Sequence, residues 1–172
     1  KHIVGNNRYT RGRRPQLEPL PGYLKAERYL VSLMAMNASI AQRILEKLGS
    51  ESFEEPINRE ISQIVANLLK GGKEVSVAQV LGCVQDQAKI QQMVEIFDQE
   101  IEYDNTDKLI SDCLREIACH ALEKRIEEVQ EKIEQMEREG KYGTDGYNVL
   151  LHEIVALTHK VKMNGPGKEG IM

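Results

Sequence analysis

Tryptophan is absent from these 172 residues, phenylalanine occurs twice, and aromatic side chains make up only 5% of the chain. Strands favour aromatic and β-branched residues, so this poverty argues against a sandwich or barrel. Cysteine is scarce too. Cys83, Cys113 and Cys119 are odd in number and lack C-x-x-C spacing, which excludes a disulfide framework and a structural zinc site. A reducing, cytoplasmic compartment is expected. Long apolar runs are also missing: the longest uncharged stretch, Tyr29 to Gln42, is 14 residues, short of the roughly 20 a bilayer span needs. No secretory signal is visible, and no membrane partner is expected.

Catalytic signatures are equally sparse. Gly71, Gly72 and Lys73 lack the frame of a phosphate loop, and neither G-x-S-x-G nor a dinucleotide fingerprint occurs. His2, His120, His152 and His159 are scattered; on a helix the neighbours Cys119 and His120 diverge, which does not suit joint metal binding. The carboxylates of Glu127, Glu128, Glu131 and Glu134 lack a Glu-x-x-His pair and read as a solvated face. Neither an enzyme active site, a metal nor a cofactor is expected.

What remains is helix-forming material. Residues 1 to 21 hold Lys1, Arg8, Arg11, Arg13 and Arg14 against Glu18 alone, although the whole chain carries −4. This basic, proline-rich segment, residues 1 to 22, reads as a linker to a preceding domain. The alternative is a nucleic-acid arm in which Arg11, Arg13 and Arg14 neutralise phosphates.

A first helix runs from Tyr23 to Met36. Asn37 or Ser39 opens a second that stops at Gly49, and Pro56 starts a third that reaches Gly71. Ser76 with Gln79 marks a short fourth helix. Asp86 to Phe97 makes a fifth, with Ile90, Met93, Val94 and Phe97 inward.

The organising stretch is Thr106 to Glu139, free of Gly and Pro, with Thr106 or Asn105 as cap and Gly140 at its end. Ile110, Leu114, Ile117 and Ala121 form one apolar stripe. Leu122, Ile126, Val129, Ile133 and Met136 form another, displaced by one residue. The shift implies two successive partners: the elements before, and one helix after. A continuous coiled coil would look similar apart from that shift. Thr144 or Asp145 then caps a last helix to Met163, with Tyr147, Leu150, Leu151, Ile154, Leu157, Thr158 and Val161 on one side.

The expected architecture is all-α: a bundle of short helices over 23 to 121, joined by the long helix to a C-terminal helical hairpin over 122 to 163, with a flexible tail over 164 to 172. A lone hairpin leaves Tyr142, Val149 and Val155 without shelter, so a partner or a fold back onto the bundle must cover them.

The stretch LKAERYLVSLM from Leu24 to Met34, INREI from Ile57 to Ile61, and the order of short-helix bundle, long helix and terminal hairpin resemble the helicase-binding C-terminal domain of bacterial DNA primase. The resemblance covers residues 22 to 163. It implies a non-catalytic module, tethered by its N-terminal linker to the rest of a DNA primase, an RNA-synthesising nucleotidyltransferase. The bundle would modulate the hexameric replicative DNA helicase, and the hairpin would anchor on that helicase's N-terminal domain. The implied contacts are Tyr142, Tyr147, Leu150, Leu151 and Val155 on the hairpin, with Glu27, Arg28 and Arg59 on the bundle. Two other readings stand beside it: a homo-oligomeric scaffold, including a weak homodimer by hairpin exchange, and nucleic-acid binding by the Arg-rich tail.

Overall fold

Asn37 shows how the front of the chain turns. Its backbone is extended and its side-chain oxygen accepts hydrogen bonds from the N–H groups of Ser39 and Ile40, at 2.9 and 3.1 Å. One residue therefore separates α1 (Gly22–Met36) from α2 (Ala38–Leu48). The computed structural model describes residues 20–101 and 103–164. Arg11, Arg13 and Arg14, nearly all of the expected linker and all but Asn164 of the expected tail lie outside the described residues.

The same local logic repeats. Pro56 is the first residue of α3 (Pro56–Lys70), where its missing N–H costs nothing. Ser76 Oγ accepts from Gln79 N–H at the head of α4 (Val77–Gly82), and Asp86 accepts from Ala88 and Lys89 at the head of α5 (Gln87–Phe97). Asn105 caps α6 (Thr106–Arg138) through Lys108 N–H, and Thr144 Oγ1 accepts from Tyr147 N–H at the start of α7 (Asp145–Asn164). Each cap satisfies a donor that the helix cannot.

α1 lies at the centre and packs against α2, α3 and the front of α6. Leu30, Val31 and Met34 are fully buried with Ile44, Phe53, Ile61, Val65, Val80 and Met93. Each large side chain buried this way stabilises the bundle by about 1.5–3 kcal/mol. α6 enters the same core through Ile110, Cys113 and Ile117. It is about 50 Å long at 1.5 Å per residue, and beyond the bundle its stripe of Leu122, Ile126, Val129, Ile133 and Met136 is half-buried or buried against α7. Val129 is fully buried there.

Three sequence expectations are corrected. Val94 is 36% exposed, and Ile96 takes its place inside with Met93 and Phe97, because α5 presents its 93-96-97 edge to α1 and α3. Ala121 faces solvent, and the front stripe of α6 runs through Cys113, which serves as a small apolar residue. On α7, Leu151 and Thr158 are exposed while Leu150 is half-buried, so the inner seam is Tyr147, Leu150, Ile154, Leu157 and Val161.

Candidate protein-docking surface

Gly140 and Gly143 have φ of 70° and 69°. Gly140 lets α6 close in a Schellman arrangement: Gly140 N–H donates to Glu137 O and Lys141 N–H to Met136 O, at 3.0 and 2.9 Å. The chain reverses and α7 returns along α6. Tyr147 OH donates to Glu137 Oε1 at 2.8 Å, and this bond to a carboxylate raises the phenol's pKa. Tyr142 rests edge-on against the Tyr147 ring, centroids 5.9 Å apart, and stays 63% exposed. Arg125 Nε bonds Glu153 Oε1 at 2.9 Å while its other nitrogens hold Glu153 and Glu128, which fixes the two helices side by side.

With the inner seam settled, the outer side of α7 is bare. No residue of α7 is buried; Val149 is 63% exposed and Val155 69%. Several large apolar side chains left exposed on one helix mark an interaction site more often than ordinary surface. The implied hairpin residues thus divide. Tyr142, Leu151 and Val155 are open to a partner, whereas Tyr147 and Leu150 serve chiefly the contact between α6 and α7. Val149, which the sequence already marks as surplus to the seam, joins the open group.

The bundle positions are of a different kind. Glu27 is fully buried; its carboxylate accepts from Glu54 N–H at 2.6 Å, Glu55 N–H at 3.2 Å and Asn58 Nδ2 at 3.0 Å. It braces the start of α3 and offers a partner nothing, a correction to the expected contact. Arg28 forms a two-pronged pair with Glu55, at 3.2 and 2.8 Å, and the hydrogen bond to Glu55 raises its pKa. Beside it lies an open groove of about 390 Å³ lined by Pro56, Gln92 and Glu95. Arg59 Nε donates to Phe53 O at 2.8 Å, so its planar head is partly committed to the same loop.

Pairing across 66 and 70 positions escaped the sequence reading. Glu54 reaches His120 Nε2 at 3.3 Å and Lys124 Nζ at 2.9 Å. The bond from Lys124, helped by His120, holds the Glu54 carboxyl below the usual range. The His120 ring stacks on Tyr23, 3.5 Å between centroids and nearly parallel. Together these clamp the middle of α6 to α1 and to the loop before α3. No local pattern announces such a clamp.

Among the described residues, no three His, Cys, Asp or Glu side chains are placed to hold a metal ion, and no helix is long and apolar enough to cross a membrane.

Residues 20–118 match the family model described as DnaB-like helicase N terminal domain. Among solved structures, the chain is similar to the N-terminal domain of DnaB helicase from Mycobacterium tuberculosis, with TM-score 0.53 and 16% identity, over 82% of this chain and 94% of that one. It also matches the helicase-binding domain of primase from Mycobacterium tuberculosis (TM-score 0.49, 18% identity, 82% and 90% covered). A third match is the DnaB-binding domain of DnaG from Bacillus stearothermophilus (TM-score 0.48, 17% identity, 87% and 98% covered). These structural matches are likenesses of fold. A search of curated proteins finds no match.

Proposed function

Since this chain belongs to the family of DnaB-like helicase N-terminal domains, we propose that it acts as a non-catalytic docking module for the hexameric replicative DNA helicase, as the C-terminal part of a bacterial DNA primase. The observation that carries the docking reading is the exposure of Tyr142, Val149, Leu151 and Val155 on the outer side of the hairpin, beside a helix, α7, that contributes no buried residue of its own. The family match ends at residue 118, within the front of α6, so this hairpin surface lies beyond what the family match covers. The primase assignment rests on the LKAERYLVSLM and INREI stretches.

In this reading the helicase's N-terminal domain covers Tyr142, Val149, Leu151 and Val155. Interface centres commonly bury such aromatic and branched side chains in desolvated pockets. Arg28, at the edge of the groove beside Glu55, and Arg59, bonded to Phe53 O, are the bundle positions through which modulation would act. The remainder of the primase would sit at the end of the N-terminal linker, and the whole would work in the cytoplasm.

The test mixes the chain with the replicative helicase and measures heat and co-elution. A complex is expected. Val155→Asp should abolish it while helix content by circular dichroism stays constant. Absence of a complex with the unaltered chain would overturn the proposal. Self-association at high concentration in sedimentation, with no helicase binding, would point to a homo-oligomeric scaffold instead.

A further inference from the structure

Charge is segregated between the two helices of the hairpin. On α6, Glu127, Glu131 and Glu134 are exposed. On α7 beyond its first residue, Asp145, there is one carboxylate, Glu153, and Arg125 holds it at the α6 side. Its cationic side chains, Lys160 and Lys162, are exposed, and so are His152 and His159.

Their placement on the helix follows from its geometry. Successive residues turn by about 100°, so with the seam of Tyr147, Leu150, Ile154, Leu157 and Val161 facing α6, His152 and His159 fall in the middle of the opposite side. Val149 and Val155 form its two shoulders, and Lys160 and Lys162 lie on either flank towards the C-terminal end. α6 directs Arg125, bonded to Glu153, and Glu137, bonded to the Tyr147 hydroxyl, at α7, and Glu116, Glu123 and His120 of α6 line with Tyr23 of α1 the hollow beside Val161. All act on the inner side. In a chain of net charge −4, the uncovered face of α7 carries no carboxylate beyond Asp145 at its first residue.

We infer that this face selects an apolar helical surface that carries carboxylates opposite Lys160 and Lys162, so that docking is steered by charge. The inference rests on the docking reading above and names the chemistry of the helicase surface that meets it. Complementary potentials raise the rate of encounter and reject partners of the wrong sign. Two α7 faces brought together would oppose cation to cation, which disfavours a second copy as the occupant. The α6 side of another copy would satisfy the charge but presents glutamates without an apolar stripe.

The experiment is calorimetry of the full chain with the hexameric replicative helicase. Raising salt from about 50 to about 300 mM should weaken the complex roughly tenfold, since exposed charges are screened over this range. The double substitution Lys160→Glu with Lys162→Glu should weaken it about tenfold at low salt and remove most of the salt dependence. Both positions are exposed, so helix content should not change; Lys160→Gln with Lys162→Gln, giving an intermediate loss, checks that charge and not packing is read. A complex abolished by Val155→Asp yet indifferent to salt and charge reversal would overturn this inference and leave the docking reading intact. No complex under any condition would overturn the docking reading itself.

Discussion

Replacing Glu27 with alanine should destabilise the fold by about 3 kcal/mol, with no need to invoke any partner. The side chain is fully buried in α1 and its two oxygens accept from Glu54 N–H, Glu55 N–H and Asn58 Nδ2. Asn58 keeps a second acceptor in Glu55 Oε2 at 2.8 Å, so alanine orphans two backbone donors at the head of α3. Buried donors without partners cost about 1–3 kcal/mol each. The carboxylate also faces the positive end of the α3 dipole, a favourable placement that alanine forfeits. Glu54 and Glu55 are only half-buried, so water relieves part of the loss and holds the sum near the figure given. Glu27→Gln keeps the shape but presents one acceptor oxygen and turns an amide N–H₂ towards the second donor; about half the penalty is expected. For a domain of this size the alanine variant should melt roughly 6–12 °C lower, at about 2–4 °C per kcal/mol. Urea and thermal unfolding of the parent, Gln and Ala forms supply the assay. If alanine lies within about 0.5 kcal/mol of the parent, as at ordinary surface sites, while helicase binding falls, then Glu27 is a contact residue after all and the bracing argument is refuted.

Two further outcomes test other joints. Val129→Ala removes the fully buried side chain between α6 and α7 and should cost about 2 kcal/mol; amide exchange should quicken in α7 while α1 and α3 keep their protection, and uniform quickening would show that hairpin and bundle unfold as one unit. Lys124→Met should destabilise the chain at neutral pH by breaking the clamp on Glu54. Because the Glu54 carboxyl is held below its unfolded value, its contribution is present above the ordinary carboxylate range and is lost as pH falls through the lowered one. The gap between parent and variant should therefore close in acid, and a gap that stays constant down to about pH 2 would count against the pairing.

The helix boundaries were legible because they are local. Asn37, Pro56, Ser76, Asp86, Asn105 and Thr144 act within four residues of themselves, and each cap or start lies where side-chain chemistry places it. Which flank of a helix turns inward was legible only where apolar residues outnumber alternatives. In α5 both Val94 and Ile96 satisfy an apolar pattern, and the choice of Ile96 is made by α1 and α3 pressing on that edge. In α6 the thiol of Cys113 fills a core position, and burial pushes its pKa up to about 12, which leaves it neutral and inert. The pattern of Leu, Ile and Val could not count a cysteine.

Side-chain roles were the least legible. Glu27 and Arg28 are neighbours in a charged-looking patch, yet one is a buried acceptor for the α3 head and the other a half-exposed partner of Glu55. Tyr142 and Tyr147 are five residues apart and equally aromatic; Glu137, on the helix before the turn, captures the hydroxyl of Tyr147 and leaves Tyr142 outside.

An all-helical chain with a long sixth helix and a returning seventh is written in the residues themselves, since propensity, capping and the 3.6-residue period are properties of short stretches. The burial of Glu27, the clamp of Glu54 on His120 and Lys124, and the turning of Glu153 away from the open side of α7 are not, because each depends on groups from 27 to 70 positions apart along the chain. Such pairs meet only after the helices have packed, and packing is what makes one glutamate a brace, another a clamp, and turns Glu153 to the α6 side.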